Sequence, residues 1–134
     1  MFLIYIAAPF TADTPEGIQK NIDYATQLAA EVDDAGNGEV YAFCPHPMGF
    51  AINQKMKTHK EANDDFWYKG DIALLKRCDA AIFGGDWGHS TGCCMEFDFT
   101  QTDMDIPVTS VDLWKDTKSA VEFLVTEVKK WSKK

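Results

Sequence analysis

The stretch that most constrains the fold is Met1 to Ala8 (MFLIYIAA), an unbroken apolar run rich in isoleucine and aromatics and closed by Pro9. A short run of this kind reads as a strand buried on both faces, which puts it inside a sheet covered on two sides. The segment after it has a different period. Thr14-Pro15-Glu16 supplies an N-cap, a proline at the first helical position and an early acid, and Ile18, Ile22, Ala25, Leu28 and Val32 then recur at helical spacing until Gly36.

The same alternation continues along the chain. Val40 to Cys44 (VYAFC) is a second apolar run, stopped by Pro45-His46-Pro47, and a loop or short helix carries the chain through about Lys60. Asn63-Asp64-Asp65 can cap a helix running to Cys78, with Phe66, Ala73 and Leu74 expected among its buried residues. Ala80 to Phe83 (AAIF) is a third strand, broken by Gly84-Gly85, and a polar loop spans to Thr91. A helix starts near Gly92 and ends before Pro107, Val108 to Val111 forms a fourth strand, and Asp116 opens a closing helix with Val121, Leu124, Val128 and Trp131 on one face. Right-handed crossovers between such strands imply a single doubly wound α/β domain, flavodoxin- or Rossmann-like, with a parallel sheet of four to five strands. The 134 residues suffice for one domain with a real core, and 46% apolar residues exclude a disordered chain.

Composition also narrows the partners. A net charge of −8, from 21 acidic and 13 basic side chains, argues against a polymeric nucleic-acid footprint and leaves small ligands open. Lys129, Lys130, Lys133 and Lys134 end the last helix, where cations suit the dipole. No apolar run approaches the ~18–20 residues of a membrane span and no signal-peptide pattern opens the chain, so a cytoplasmic protein away from membranes is expected. Cys44, Cys78, Cys93 and Cys94 lack CxxC spacing and are read as reduced thiols. No pair among the cysteines and His46, His59 and His89 has zinc-finger spacing, so neither a metal nor another cofactor is expected.

In doubly wound sheets ligands bind beyond the carboxyl ends of the strands, where strand order reverses, commonly between strands one and three. Two loops are the candidates: Ala7-Ala8-Pro9-Phe10-Thr11, and Gly84 to Gly92 (GGDWGHSTG) leading into the helix that carries Glu96. The second combines four glycines with Ser90 and Thr91 at a helix start, which suits a phosphate; an ordinary glycine-rich turn with a Ser/Thr cap has the same composition. Glu96 suits the positive end of a helix dipole whatever its function, yet its apolar neighbours and a nearby Tyr5 favour chemistry over solvation. Asp71 and Asp86 are candidates to complete an acid/base pair, with a surface acid and a turn residue as the plainer alternatives.

Three pieces of the chain together resemble the nucleoside 2-deoxyribosyltransferase superfamily, including its nucleotide N-glycosidase branch. They are a strand with tyrosine and a small-residue turn (IYIAAPF), an aspartate opening a segment that ends in strand three (GDIALLKRCDAAIF), and a serine–glycine loop leading to glutamate (STGCCME). The resemblance implies that Glu96 is a nucleophile, Tyr5 the hydroxyl that orients it, and Asp71 the group that handles the proton at the leaving base. It also implies that Ser90, six residues before Glu96, faces a 5′-phosphate where nucleoside transferases carry an acid, with a backbone donor from Gly92 beside it. Ala8, Pro9, Phe10 and Asp86 join Ser90 and Gly92 as expected substrate-binding residues, and a homodimer or higher homo-oligomer is implied. Phe97-Asp98-Phe99-Thr100 departs from the small residues often found after the glutamate. The GG…STG…E run resembles lysine-decarboxylase-like phosphoribohydrolases as well, with a longer glycine-to-glutamate spacing. The expected function is cleavage or exchange of the N-glycosidic bond of a nucleoside or its 5′-monophosphate. A non-catalytic nucleotide sensor on the same crevice is the alternative.

Overall fold

A computed structural model describes residues 1–57 and 64–131. Its elements are β1 (Phe2–Ala7), α1 (Pro15–Gly36), β2 (Val40–Phe43), α2 (Pro45–Lys55), α3 (Asp64–Leu75), β3 (Ala80–Phe83), α4 (Thr91–Asp103), β4 (Val108–Ser110) and α5 (Thr117–Trp131). Single 3-10 turns, Trp87–His89 and Val111–Leu113, precede α4 and α5. All pairings are parallel and the four strands run in the order β2-β1-β3-β4. The chain is thus α/β and doubly wound, and the strand order reverses between β1 and β3.

Alternation along the strands divides the core into two layers. Ile4, Ile6, Ala80 and Ile82 face α1 and α5, where Leu28, Val32, Val121, Leu124 and Val128 close over them. Tyr5, Ala7, Ala81 and Phe83 face the other way, onto Ile72, Leu75 and Cys93 from α3 and α4. Each fully buried Leu, Ile or Val contributes about 1.5–3 kcal/mol through removal from water. The buried tyrosine in the second layer adds a phenol that must find a partner there.

Local chemistry explains the ends of the elements. Thr14 caps α1 by accepting from the Gly17 amide (3.0 Å), Asp116 accepts from the Ser119 amide (2.7 Å) at the start of α5, and Asn37 closes α1 in the left-handed conformation at φ 50°. Pro45, expected to stop β2, does so by taking the first position of α2, where its missing N–H costs nothing. The buried face of α3 differs from expectation: Phe66 is 49% exposed and Ala73 is exposed, while Ile72 and Leu75 are buried and Leu74 is half-buried against the core. The reason is that α3 meets the sheet through its second half, so an apolar residue in its first turn gains no cover. Asn63 as a cap, His59, and the last two lysines of the basic cluster lie outside the described residues. Lys129 and Lys130 end α5 in ion pairs with Glu39 and Glu127. No helix among the described residues is long and apolar enough to cross a membrane.

Candidate functional site

The crevice at the β1/β3 reversal is framed by the two loops that leave these strands. The Gly84 amide donates to the carbonyl of Ala7 (2.9 Å), which carries the sheet pairing one residue past β3. Glycine is required at both positions of the Gly84-Gly85 pair. A Cβ on Gly84 would lie 2.6 Å from the Tyr24 hydroxyl, and Gly85 adopts φ +66°. One turn of α1 holds both loops: Asn21 donates to the carbonyl of Phe10 (3.0 Å) in the first, and the Tyr24 hydroxyl accepts from the Gly85 amide (2.9 Å) in the second.

Within the second core layer the Tyr5 hydroxyl donates to Oε2 of Glu96, joining β1 to α4. Glu96 is 4% exposed and Tyr5 is fully buried. Burial raises the Glu96 carboxyl to about 7; the Tyr5 hydrogen bond lowers it in part, and the charge of Asp71 raises it. Tyr5 is itself held well above the usual phenol range by burial and by Glu96, so it stays a neutral donor. Asp71, half-buried on α3, is pushed to about 6 by burial. Cys93, beside Glu96, is pushed to about 12 and Cys44 to about 11, both by burial, so these cysteines are thiols rather than thiolate nucleophiles near neutral pH. The pair of acids with raised pKa is therefore Glu96 and Asp71. Asp86 stands apart on the exposed loop, 2.6 Å from Nδ1 of His89, whose pKa it raises.

Two cavities share the loop after β1. One, of about 350 Å³, has Asp71 in its wall together with Phe10, His46, Phe50 and Trp67. Phe10 stacks on His46 with ring centroids 5.3 Å apart and meets Phe50 edge-on at 5.9 Å. His46 donates from Nε2 to the carbonyl of the buried Ala8 (2.6 Å), and burial lowers its pKa, so the ring is neutral. The other cavity, of about 490 Å³, is lined by Pro9, Lys20, Asn21, Asp86, His89 and Ser90, among others. Ser90 caps α4, its hydroxyl oxygen accepting from the Cys93 amide (3.3 Å). The first-turn amides of Thr91 and Gly92 have no intrahelical acceptor, and space around Gly92 is open.

Comparison with family models and with curated proteins returns no match. The assignment of function therefore rests on the geometry and on the motifs themselves. Among the described residues no three His, Cys, Asp or Glu side chains gather as a metal site. Phe97 and Phe99, which break the small-residue pattern after Glu96, pack elsewhere: Phe97 against Phe83 (5.4 Å) and Trp87 (5.0 Å), and Phe99 beneath Lys76 (5.6 Å).

Several lining residues escaped sequence reasoning. The basic side chains of α3 and the turn after it are engaged locally: Lys69 pairs with Asp65 (3.1 Å), Lys76 covers Phe99 and Arg77 donates to the Ala73 carbonyl. The basic and acidic side chains on the Ser90 cavity are Lys20, His89 and Asp86. Asn21 and Tyr24 sit at helical spacing on the flank of α1, a pattern shared by any polar helix face. His46, Phe50, Asn53 and Trp67 lie on α2 and α3, and His46, Gly49, Phe50 and Asn53 do follow one helical face, a signal hidden by the two prolines at its start.

Proposed function

We propose that the chain is an N-glycosidase or deoxyribosyltransferase of the nucleoside 2-deoxyribosyltransferase-like type, acting on a nucleoside or nucleoside 5′-monophosphate. The observation that carries this reading is the buried Tyr5–Glu96 pair, electrostatically coupled to an Asp71 that forms the wall of an aromatic cavity. Tyr5 occupies Oε2, which leaves Oε1 of Glu96 to attack C1′ of a sugar lying across the crevice. The C1′–N bond breaks through an oxocarbenium-like state, its electron pair leaves on the base nitrogen, and Asp71 supplies the proton that neutralises it. Water or a second base, giving its proton to the Asp71 carboxylate, then displaces the glycosyl ester from Glu96. The base stacks among Phe10, Phe50 and Trp67, and the 5′ end points to Ser90, Gly92 and Lys20.

Chromatography of deoxynucleosides and their monophosphates after incubation with the protein is expected to show free base. Binding without base release from any of them would favour a nucleotide sensor instead. The mechanism needs Glu96 ionised and Asp71 protonated, so kcat/KM should be bell-shaped with its maximum between about 6 and 7, set by the two raised carboxyls. Asp71→Asn is expected to lower kcat by about 10²–10⁴-fold and to remove the limb that falls toward high pH.

The reading includes a homodimer. Met48 and Ile52, four apart on α2, are 49% and 47% exposed, and burial of such a stripe against a second copy would close the outer side of the aromatic wall. Light scattering at assay concentration should return twice the chain mass; a fully active monomer would remove the dimer from the proposal.

A further inference from the structure

The side of α2 that meets the aromatic cavity carries His46, Gly49, Phe50 and, one turn further, Asn53. The close approach of this face to α3 is set by Gly49, where a Cβ would come within 3.3 Å of the Trp67 ring. Asn53 is the anomaly on it. Its Oδ1 is sealed from solvent and has no hydrogen-bond partner among the described residues, and it alone among their side-chain N and O atoms is both buried and unpaired. A buried acceptor left unpaired is destabilising, and such groups are rare in folded proteins unless something arrives to satisfy them. Rotation about the Cβ–Cγ bond of asparagine is soft, so the carboxamide can turn its oxygen toward the cavity at little cost. The neighbouring polar group on the same face adds no donor, because the neutral His46 ring spends its one N–H on Ala8.

We infer that Asn53 is the base-reading residue and that it selects a purine bearing an exocyclic amino group over its oxo counterpart. An amino N–H satisfies the orphaned Oδ1, and the Nδ2 group beside it can donate to a ring nitrogen, the same two-point pairing by which asparagine recognises the N6/N7 edge of adenine. Along the same edge of the oxo counterpart both groups are acceptors, so the carboxamide can satisfy one of them at most and Oδ1 stays unpaired. The inference rests on the proposed function for the kind of ligand in the cavity and goes beyond it in naming the base class and the residue that chooses it.

Deoxyadenosine and deoxyinosine monophosphates differ along this edge at the exocyclic group alone, amino against oxo. Base release by the wild-type protein should favour the amino member about tenfold or more in kcat/KM. Asn53→Ala should bring that ratio to within about twofold, and Asn53→Asp, which still accepts, should keep the amino preference. Because the unpaired oxygen is removed, Asn53→Ala should melt no lower than wild type, which separates lost reading from lost folding. Calorimetric binding of the same monophosphates to Glu96→Gln protein reads the preference independently of turnover. An amino preference in binding that disappears in an Asn53→Ala, Glu96→Gln double variant supports the inference even if wild type releases no base and the glycosidase reading fails. Base release with equal or reversed preference, or a ratio unchanged in Asn53→Ala, overturns the inference and leaves the glycosidase reading standing. Failure of every monophosphate to bind at millimolar concentration overturns both.

Discussion

Glu96→Gln is expected to lower kcat by at least about 10³-fold while leaving the fold intact, because it removes the attacking oxygen's charge and keeps the shape and the Tyr5 hydrogen bond. A substrate analogue fluorinated at the 2-position should accumulate as an ester on wild-type Glu96, visible as a mass increment, and not on the variant. Turnover within about tenfold of wild type would end the nucleophile assignment. The same substitution has an expected signature in stability. Burial raises the carboxyl from 4.5 to about 7, so the folded state holds the proton more tightly than the unfolded state does. Stability therefore declines as pH rises through that window and levels off above it. Glu96→Gln should lose this part of the decline and be more stable than wild type above pH 7 by up to about 3 kcal/mol, at ~1.4 kcal/mol per pKa unit. Asp71 contributes in the same direction between 3.8 and about 6.

The second large effect is expected at the other end of the crevice. Ser90→Asp should weaken cleavage of monophosphates relative to unphosphorylated nucleosides by roughly 100-fold, since juxtaposed like charges cost several kcal/mol. The helix start is a built-in control. Aspartate caps helices as well as serine does, so α4 and Glu96 behind it should be undisturbed. Lys20 and His89 line the cavity with Ser90, and His89 is already biased toward its charged form by Asp86. In the proposed complex a phosphate would meet Lys20, the His89–Asp86 pair, the Ser90 hydroxyl and the first-turn amides of α4. Equal use of nucleosides and monophosphates by the wild-type protein, or a ratio unmoved by Ser90→Asp, would remove the phosphate from the proposed substrate.

The fold was legible in the sequence because strands buried on both faces must be apolar at every position, as MFLIYIAA and AAIF are, while α1 and α5 each show one apolar stripe. The meeting of Tyr5 with Glu96 could be anticipated for a related reason: a reversal between β1 and β3 brings the end of one strand beside the helix that follows the other. The wall opposite was harder to read. In α2 the lining face mixes His46, Gly49, Phe50 and Asn53, which have no common polarity, and in α3 the aromatic Phe66 resembles a core residue but lies beyond the sheet's cover. Such a surface does not pack on the sheet, and periodicity detects only the faces that do.

The hold of Asn21 and Tyr24 on both crevice loops has a consequence for how the chain can change. One turn of α1 anchors the loop after β1 and the loop after β3 together, so these two walls move as one frame and a change at either is transmitted to both. Among the described residues, the helix opposite is tied to that frame through one side-chain hydrogen bond, from His46 to Ala8. Substitutions along residues 49–53 can therefore accumulate without shifting the oxygen atoms of Tyr5 and Glu96. Under the proposed function the architecture is modular: Tyr5 and Glu96 sit with the anchored walls, and the fitting that chooses the cargo is exchangeable, a division that lets new specificities be tried at small risk to the chemistry.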